Sequence, residues 1–296
     1  MVRRSVLFTP GDRPEMLRKA PDSGADVIVF DLEDAVAPAR KTEAREAVRE
    51  VLADPAFDPA CEVCVRVNAA DSMRRDDLGT ILDPEVVGSD GGERDDGFRL
   101  DSVMLPKVDA ADDVRDLADD LATYDVSLPV FALIESAAGV LAAPEIAAAR
   151  ATDALAFGAE DLSADIGATR TAEGTEVLYA RERVVIAAGA EDCDAIDTLV
   201  TDFENEQQLR EDAAFSVQLG YDGKLAIHPA QIGPINAAFT PTAEEREWAT
   251  RVLEAKREAD AEGRGVFQVD GEMIDAPLIA RAERIEKRAA ASDGKK

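Results

Sequence analysis

Pro129-Val-Phe-Ala-Leu-Ile-Glu135 and Ala154-Leu-Ala-Phe-Gly-Ala-Glu-Asp161 decide the fold. Each begins as an unbroken apolar run and ends at or just before a carboxylate, and a segment of helical period, Ala143–Ala149, lies between them. A short apolar run of this kind reads as a strand buried on both faces. Two such strands linked by a helix make a crossover unit, which pairs its strands in parallel. The same alternation extends in both directions. Further strands are expected at Ser5–Thr9, Asp26–Leu32, Glu62–Asn68, Ser102–Lys107, Ala195–Thr198 and Leu225–His228. Helices are expected at Arg13–Ala20, Lys41–Leu52, Asp112–Leu121, Glu176–Ala188, Gln207–Leu219 and Gln231–Ala238. Eight strands with crossover-length connections favour an α/β fold closed as a TIM (β/α)8 barrel. A doubly wound open sheet is the competitor, weakened because no GxGxxG turn follows the first strand.

Two stretches fall outside the repeat. Glu85–Gly97 is rich in Gly and Asp and reads as a mobile insertion. Residues 242–296 follow the eighth strand as a C-terminal helical appendage to a barrel at 1–241. They are read as a helix at Ala243–Ala261, a β-like Gly265–Val269, a turn and a last helix at Ala276–Ala291.

With 296 residues and 46% hydrophobic residues, the chain has ample material for a core at roughly 100–200 residues per domain. Its 62 acids against 33 cations, 25 of them Arg, give a formal charge of -29 spread along the whole length. That charge repels phosphate backbones and anionic lipid surfaces, which argues against a nucleic-acid or membrane partner. A whole-surface acidic coat stays soluble where salt screens its self-repulsion, so adaptation to high salt is expected. No run approaches the roughly 18 apolar residues of a membrane span, and the N-terminal stretch lacks a signal-peptide core, so a cytoplasmic protein is expected. Cys61 and Cys64 form a CxxC inside a strand-like run, where positions three apart face opposite ways; ordinary core cysteines are the expectation.

In a barrel, chemistry gathers at the C-terminal ends of the strands. The polar residues there are Asp31, Glu33 and Asp34, then Arg66 and Asn68, Lys107, Glu135, Glu160 and Asp161, Asp202 and His228. Any one alone could be a solvated loop charge. Glu135 and Asp161 differ because hydrophobic strands lift both to the mouth. Two oxygen ligands without a His or Cys cluster suit a hard ion that keeps several waters, such as Mg2+, and do not suit zinc. Arg66, with apolar sequence neighbours, either binds a carboxylate or developing oxyanion or pairs with Glu33 or Asp34; the two roles are compatible. His228 is the only histidine, and without a Gly-x-Ser-x-Gly elbow it reads as a structural or supporting imidazole.

These residues stand in a recurring set of phrases: Arg4-Ser-Val-Leu-Phe-Thr-Pro-Gly-Asp-Arg-Pro-Glu-Met16, Asp31-Leu-Glu-Asp-Ala-Val36, Val65-Arg-Val-Asn68, Met104-Leu-Pro-Lys107, Leu133-Ile-Glu-Ser136, Phe157-Gly-Ala-Glu-Asp161, Ile227-His-Pro229 and Gly271-Glu-Met-Ile-Asp-Ala-Pro277. Together they resemble the citrate lyase beta subunit-like family of acyl-CoA lyases, over nearly the whole chain. The resemblance implies a TIM barrel that uses Mg2+, or Mn2+ in its place, to cleave or form the carbon-carbon bond between an acyl-CoA and a 2-oxo acid. The β-hydroxyacyl-CoA would be malyl-, β-methylmalyl- or citramalyl-CoA, and the oxo acid glyoxylate or pyruvate. By similarity Glu135 and Asp161 hold the metal, Glu135 also lies at the substrate, and Arg66 binds the oxo-acid oxygen. Asp275 matches the acid that the family brings in from a neighbouring subunit's C-terminal segment, which implies a homotrimer or homohexamer.

Within that reading, Asp275 protonates the enolate carbon in cleavage and removes the α-proton in condensation. Glu33, Asp34 and Lys107 support the site, Lys107 by tuning the local field and not as a Schiff base. Residues 1–20 hold five cations against Asp12 and Glu15, and Arg13 and Lys19 are the candidates to meet coenzyme A. The same scaffold could instead hydrolyse malyl-CoA as a thioesterase, or bind coenzyme A without catalysis.

Overall fold

The computed structural model describes residues 2–83 and 98–293, with side chains described to residue 290. Its strands are β1 (Ser5–Pro10), β2 (Val27–Asp31), β3 (Glu62–Arg66), β4 (Ser102–Leu105), β5 (Val130–Ile134), β6 (Thr152–Phe157), β7 (Asp194–Asp197) and β8 (Gly223–Ala226). They form one closed barrel in sequence order, every pair is parallel, and β1 pairs with β8 to complete the ring. The expected TIM barrel is therefore present, with each expected strand in place.

The helices are α1 (Pro14–Lys19), α2 (Lys41–Leu52), α3 (Asp71–Ile81), α4 (Ala111–Ala122), α5 (Ala137–Ala147), α6 (Ala159–Asp165), α7 (Leu178–Ala190), α8 (Glu206–Leu219) and α9 (Ile232–Phe239). Three of these differ from the sequence reading, and one of them, the short α6 directly after β6, was not expected at all. The apolar periodicity predicts no helix between β3 and β4, yet α3 is there; its buried face includes Arg74 and Asp77, so the inward stripe is partly charged. α5 was expected from Ala143 but begins at Ala137, capped by the Ser136 hydroxyl, and runs through Pro144. A proline there cannot donate to the carbonyl of Val140. Arg183 from α7 supplies the missing donor, from Nε to the Val140 carbonyl at 2.8 Å, and adds a second bond from Nη2 to the Leu141 carbonyl at 2.7 Å. The expected insertion at Glu85–Gly97 lies outside the described residues.

Alternation along each strand sends one row of side chains into the barrel and the next row toward the helices. The inner row is a packed apolar core that includes Val6, Val29, Cys64, Met104, Phe131, Leu133, Ala156, Ile196 and Leu225. Cys61 and Cys64 are both buried and free. The N-terminal end of the barrel is closed by Arg3. Its Nε donates to Glu62 at 2.7 Å, its Nη1 to Asp194 at 3.0 Å, and its guanidinium lies 4.5 Å from the Phe131 ring centre. Ser102 adds a hydrogen bond to Glu62 at 2.7 Å.

On the outer row, Asp197 of β7 and Lys224 of β8 stand side by side in register. Both are fully buried, and they join Arg181 of α7 and Asp212 and Ser216 of α8 in one ionic network. Lys224 Nζ also donates to the Thr198 carbonyl at 2.6 Å, and the Tyr221 hydroxyl donates to the Arg181 carbonyl at 2.9 Å. Such networks are demanding to desolvate.

The chain divides into two compact units, Arg3–Asn236 and a second made mainly of residues 237–296. The second contains α10 (Ala243–Ala261), α11 (Ala276–Asp293) and an antiparallel hairpin of β9 (Phe267–Val269) and β10 (Glu272–Ile274). Thr242 and Glu245 form a capping box at the start of α10. The hairpin turns at Asp270-Gly271, both at positive φ, the conformation that two-residue turns require. Ala249, Val252, Phe267, Val269, Ile274 and Ala282 make a core of their own. Among the described residues no helix is long and apolar enough to cross a membrane.

Candidate active site

The C-terminal end of the barrel holds a cavity of about 160 Å³, lined by Phe8, Asp31, Arg66, Leu133, Glu135, Gly158, Glu160, Asp161, Thr198 and neighbouring apolar side chains. Parity explains much of this lining. Asp31, Arg66, Glu135 and Gly158 continue the inner rows of β2, β3, β5 and β6, so the residues that extend the core become the walls of the mouth.

Arg66 is the most constrained of these side chains. Its Nε and Nη2 donate to Asp31 at 2.8 and 2.6 Å, a bidentate pair, and Nη1 lies 3.2 Å from Glu33. Its guanidinium stacks 4.7 Å from the Phe8 ring centre. Burial disfavours its charge, but the bonds to Asp31 and the Glu33 charge outweigh that and hold the guanidinium above its ordinary range. The sequence reading offered Glu33 or Asp34 as its partner. Glu33 is one partner, Asp34 is not, and the stronger partner, Asp31, was missed. The strand register could have signalled it, because Asp31 and Arg66 face each other at the ends of β2 and β3.

Glu33 also accepts from Lys107 Nζ at 2.6 Å, and Asp34, exposed, lies 3.8 Å from the same ammonium. Burial raises the Glu33 carboxyl, opposed by Lys107 and Arg66. Lys107 sits at φ 55, a left-handed conformation uncommon outside glycine. That turn aims its backbone N–H at Glu135 Oε1, 2.8 Å away. Lys41 holds the loop after β2 from outside, donating to the carbonyls of Leu32 and Glu33 and to Asn68.

Glu135 is buried and bears the marks of a site built for a cation. Burial, then the neighbouring Asp161 charge, push its carboxyl up to about 8. Gly158 is required beside it by close approach: a Cβ there would lie 2.6 Å from Glu135 Cβ and 2.7 Å from Oε2. Asp161, on α6, is exposed and lines the same cavity. Arg66 and Lys107 are already taken up by Asp31 and Glu33, so neither neutralises the Glu135–Asp161 pair, in which burial and mutual repulsion disfavour charge on Glu135. A hard divalent cation fits that pair and its all-oxygen donors. Among the described residues no group of three or more His, Cys, Asp or Glu is disposed around one metal position. Two carboxylates therefore leave the remaining coordination positions to water or a ligand.

The other sequence candidates lie elsewhere. Arg13 is exposed beside Asp12 at 3.6 Å, and Lys19 is exposed on the last turn of α1; neither lines the cavity. Asp275 is exposed between β10 and α11, in the second unit. His228 caps the turn at Pro229–Gln231, accepting from Ala230 N at its Nδ1, and stacks on Phe203. The sequence reading missed Thr198; Arg170, which pairs with Glu160 at 2.9 Å and with Glu176, lies in the Thr169–Thr175 loop that position alone had suggested.

Comparison with known proteins agrees with this architecture. The model of the HpcH/HpaI aldolase/citrate lyase family matches residues 4–229. A citrate lyase subunit beta-like protein of Deinococcus radiodurans is 38% identical, with 95% of both chains covered. The mitochondrial citramalyl-CoA lyase of Mus musculus is 34% identical, covering 96% of this chain and 85% of that one. The crystal structure of the CitE protein of Mycobacterium tuberculosis, in complex with magnesium, acetoacetate and coenzyme A, superposes with a TM-score of 0.78 at 35% identity, covering 98% of each chain. The chain belongs to the HpcH/HpaI aldolase/citrate lyase family.

Proposed function

We propose that this protein is a Mg2+-dependent carbon-carbon lyase that reversibly cleaves a β-hydroxyacyl-CoA, of the malyl, β-methylmalyl or citramalyl type, into an acyl-CoA and a 2-oxo acid. One observation carries the reading: Glu135, buried and held near 8, shares a cavity with Asp161 and with an Arg66 that is itself braced by two acids. The relatives support it, since one is named a citramalyl-CoA lyase and the CitE structure contains magnesium and coenzyme A.

Glu135 and Asp161 would hold Mg2+, or Mn2+ in its place. When bound, the ion supplies Lewis-acid polarisation of the hydroxyl and carboxylate oxygens of the substrate. Arg66, fixed by Asp31 and Glu33, keeps positive potential where negative charge builds on the oxo-acid oxygen. The Lys107 N–H fixes one oxygen of Glu135, and its ammonium fixes Glu33, so the supporting groups hold the geometry of the reacting centre. Leu133, Leu225 and Ile227 make the wall apolar and limit water there. Asp275 delivers the proton to the enolate carbon in cleavage and removes it in condensation. It arrives from a neighbouring subunit, with residues 242–296 packing on that partner in a homotrimer or homohexamer. Arg13 and Lys19 meet the phosphates of coenzyme A at the rim, and the enzyme works in the cytoplasm.

The test is product identity. Malyl-, β-methylmalyl- and citramalyl-CoA are incubated with the protein and Mg2+, and products are identified by mass. Glyoxylate or pyruvate with a shorter acyl-CoA is the expected result. Intact hydroxy acid with free coenzyme A would make the protein a thioesterase, and no turnover a binding subunit.

A further inference from the structure

We infer that Thr198 is a positioning residue for the metal site, because its hydroxyl caps, from the neighbouring strand, the helix that carries Asp161. The inference rests on the metal role proposed for Glu135 and Asp161.

Helix α6 has seven residues, too few to hold its own geometry without outside support. Its first N–H groups need acceptors, which the side chain of the preceding residue ordinarily provides. Here that residue is Gly158, and it supplies no cap. It has no side chain to supply because Glu135 occupies the space a Cβ would take. The carboxylate that belongs to the site has therefore displaced the usual capping group. Ala159 is fully buried, so its N–H cannot turn to water instead.

Thr198 fills the vacancy. It follows β7, faces the cavity, is 3% exposed, and its Oγ1 accepts from Ala159 N at 3.1 Å. Its own backbone is held from behind, where Lys224 Nζ donates to its carbonyl at 2.6 Å and is itself anchored by Asp212 and Asp197. The outer ionic network thus fixes Thr198, Thr198 fixes Ala159, and Ala159 lies two residues before Asp161.

Thr198→Val keeps the shape and removes the acceptor; Thr198→Ser restores the acceptor with less bulk. Mn2+ binding to the full-length protein without substrate is followed by electron paramagnetic resonance, and folding by far-ultraviolet circular dichroism and thermal midpoint. The valine variant is expected to weaken Mn2+ binding by about 3-fold or more, while its midpoint falls only by the few degrees that losing one buried cap costs. The serine variant is expected to bind like the wild type, and amide exchange at the start of α6 to accelerate only in the valine variant. Should valine not fold, Thr198→Ala takes its place. Wild-type Mn2+ affinity in the hydroxyl-free variant, or equal weakening in the serine variant, would overturn the inference alone. A wild-type protein that binds no Mn2+ would overturn the metal reading and this inference with it.

Discussion

Gly158→Ala is the smallest change that the site geometry forbids. The backbone at Gly158 has φ -107 and ψ 91, so an alanine meets no penalty from the main chain itself. The obstacle is Glu135, whose Cβ would lie 2.6 Å from the new methyl and whose Oε2 would lie 2.7 Å away. Carbon atoms in good contact stand about 3.5–4.0 Å apart, so Glu135 must retreat by about 1 Å. A 1 Å displacement of a reacting or positioning group can cost on the order of 100-fold in rate, and that is the loss expected in kcat/KM for acyl-CoA cleavage. The overpacking should also cost about 1–3 kcal/mol of stability. The assay pairs steady-state cleavage of the hydroxyacyl-CoA with Mn2+ titration, and a thermal melt shows that the variant is folded. Wild-type turnover together with wild-type Mn2+ affinity would refute the placement of Glu135 at the reacting centre.

Two further outcomes follow from charge. Asp197 is fully buried, and although burial raises its carboxyl, Lys224 and Arg181 outweigh burial and hold it below the usual range. Asp197→Asn leaves Arg181 and Lys224 to share Asp212 as their one carboxylate in the network and should cost about 3 kcal/mol at neutral pH, read by urea unfolding. A depressed folded-state carboxyl contributes stability above its unfolded value of about 3.9 and loses it as pH falls through the lower folded value. The gap between wild type and variant should therefore narrow in acid, and a gap that stays constant to the acid end of the titration would contradict the pairing. The net charge of -29 predicts that the melting midpoint rises as KCl goes from dilute to molar, as the screening length shrinks from about 10 Å to about 3 Å. A midpoint indifferent to salt would count against adaptation to high salt.

The barrel was legible because its strands are short apolar runs whose separations leave room only for crossovers. Val130-Phe-Ala-Leu-Ile134 and Ala154-Leu-Ala-Phe157 could be read directly. α3 was not legible because it buries Arg74 against Asp120 and Asp77 against Arg45, and those charges interrupt the apolar stripe that Leu78 and Ile81 begin. α5 was read only from Ala143, since the bond that Pro144 leaves unmade at Val140 is supplied by Arg183, 43 residues beyond Val140. At the candidate site, carboxylates that end apolar strands stood out. Asp31 as the main partner of Arg66 did not, because it depends on how two strands are aligned. Thr198 closes the unexceptional run Ala195–Thr198, and its significance arises only from Glu135 crowding Gly158 two strands away.

The Arg3 plug has a kinetic consequence. With Glu62, Ser102 and Asp194 gathered around that guanidinium and Phe131 stacked above it, the cylinder is a cup and not a pipe. The apolar core packs above that plug, so whatever occupies the cavity comes and goes through the mouth. A reaction with one small and one bulky product then acquires a queue: the molecule nearer the opening departs first, and in the reverse direction the deeper one must be seated before the other arrives.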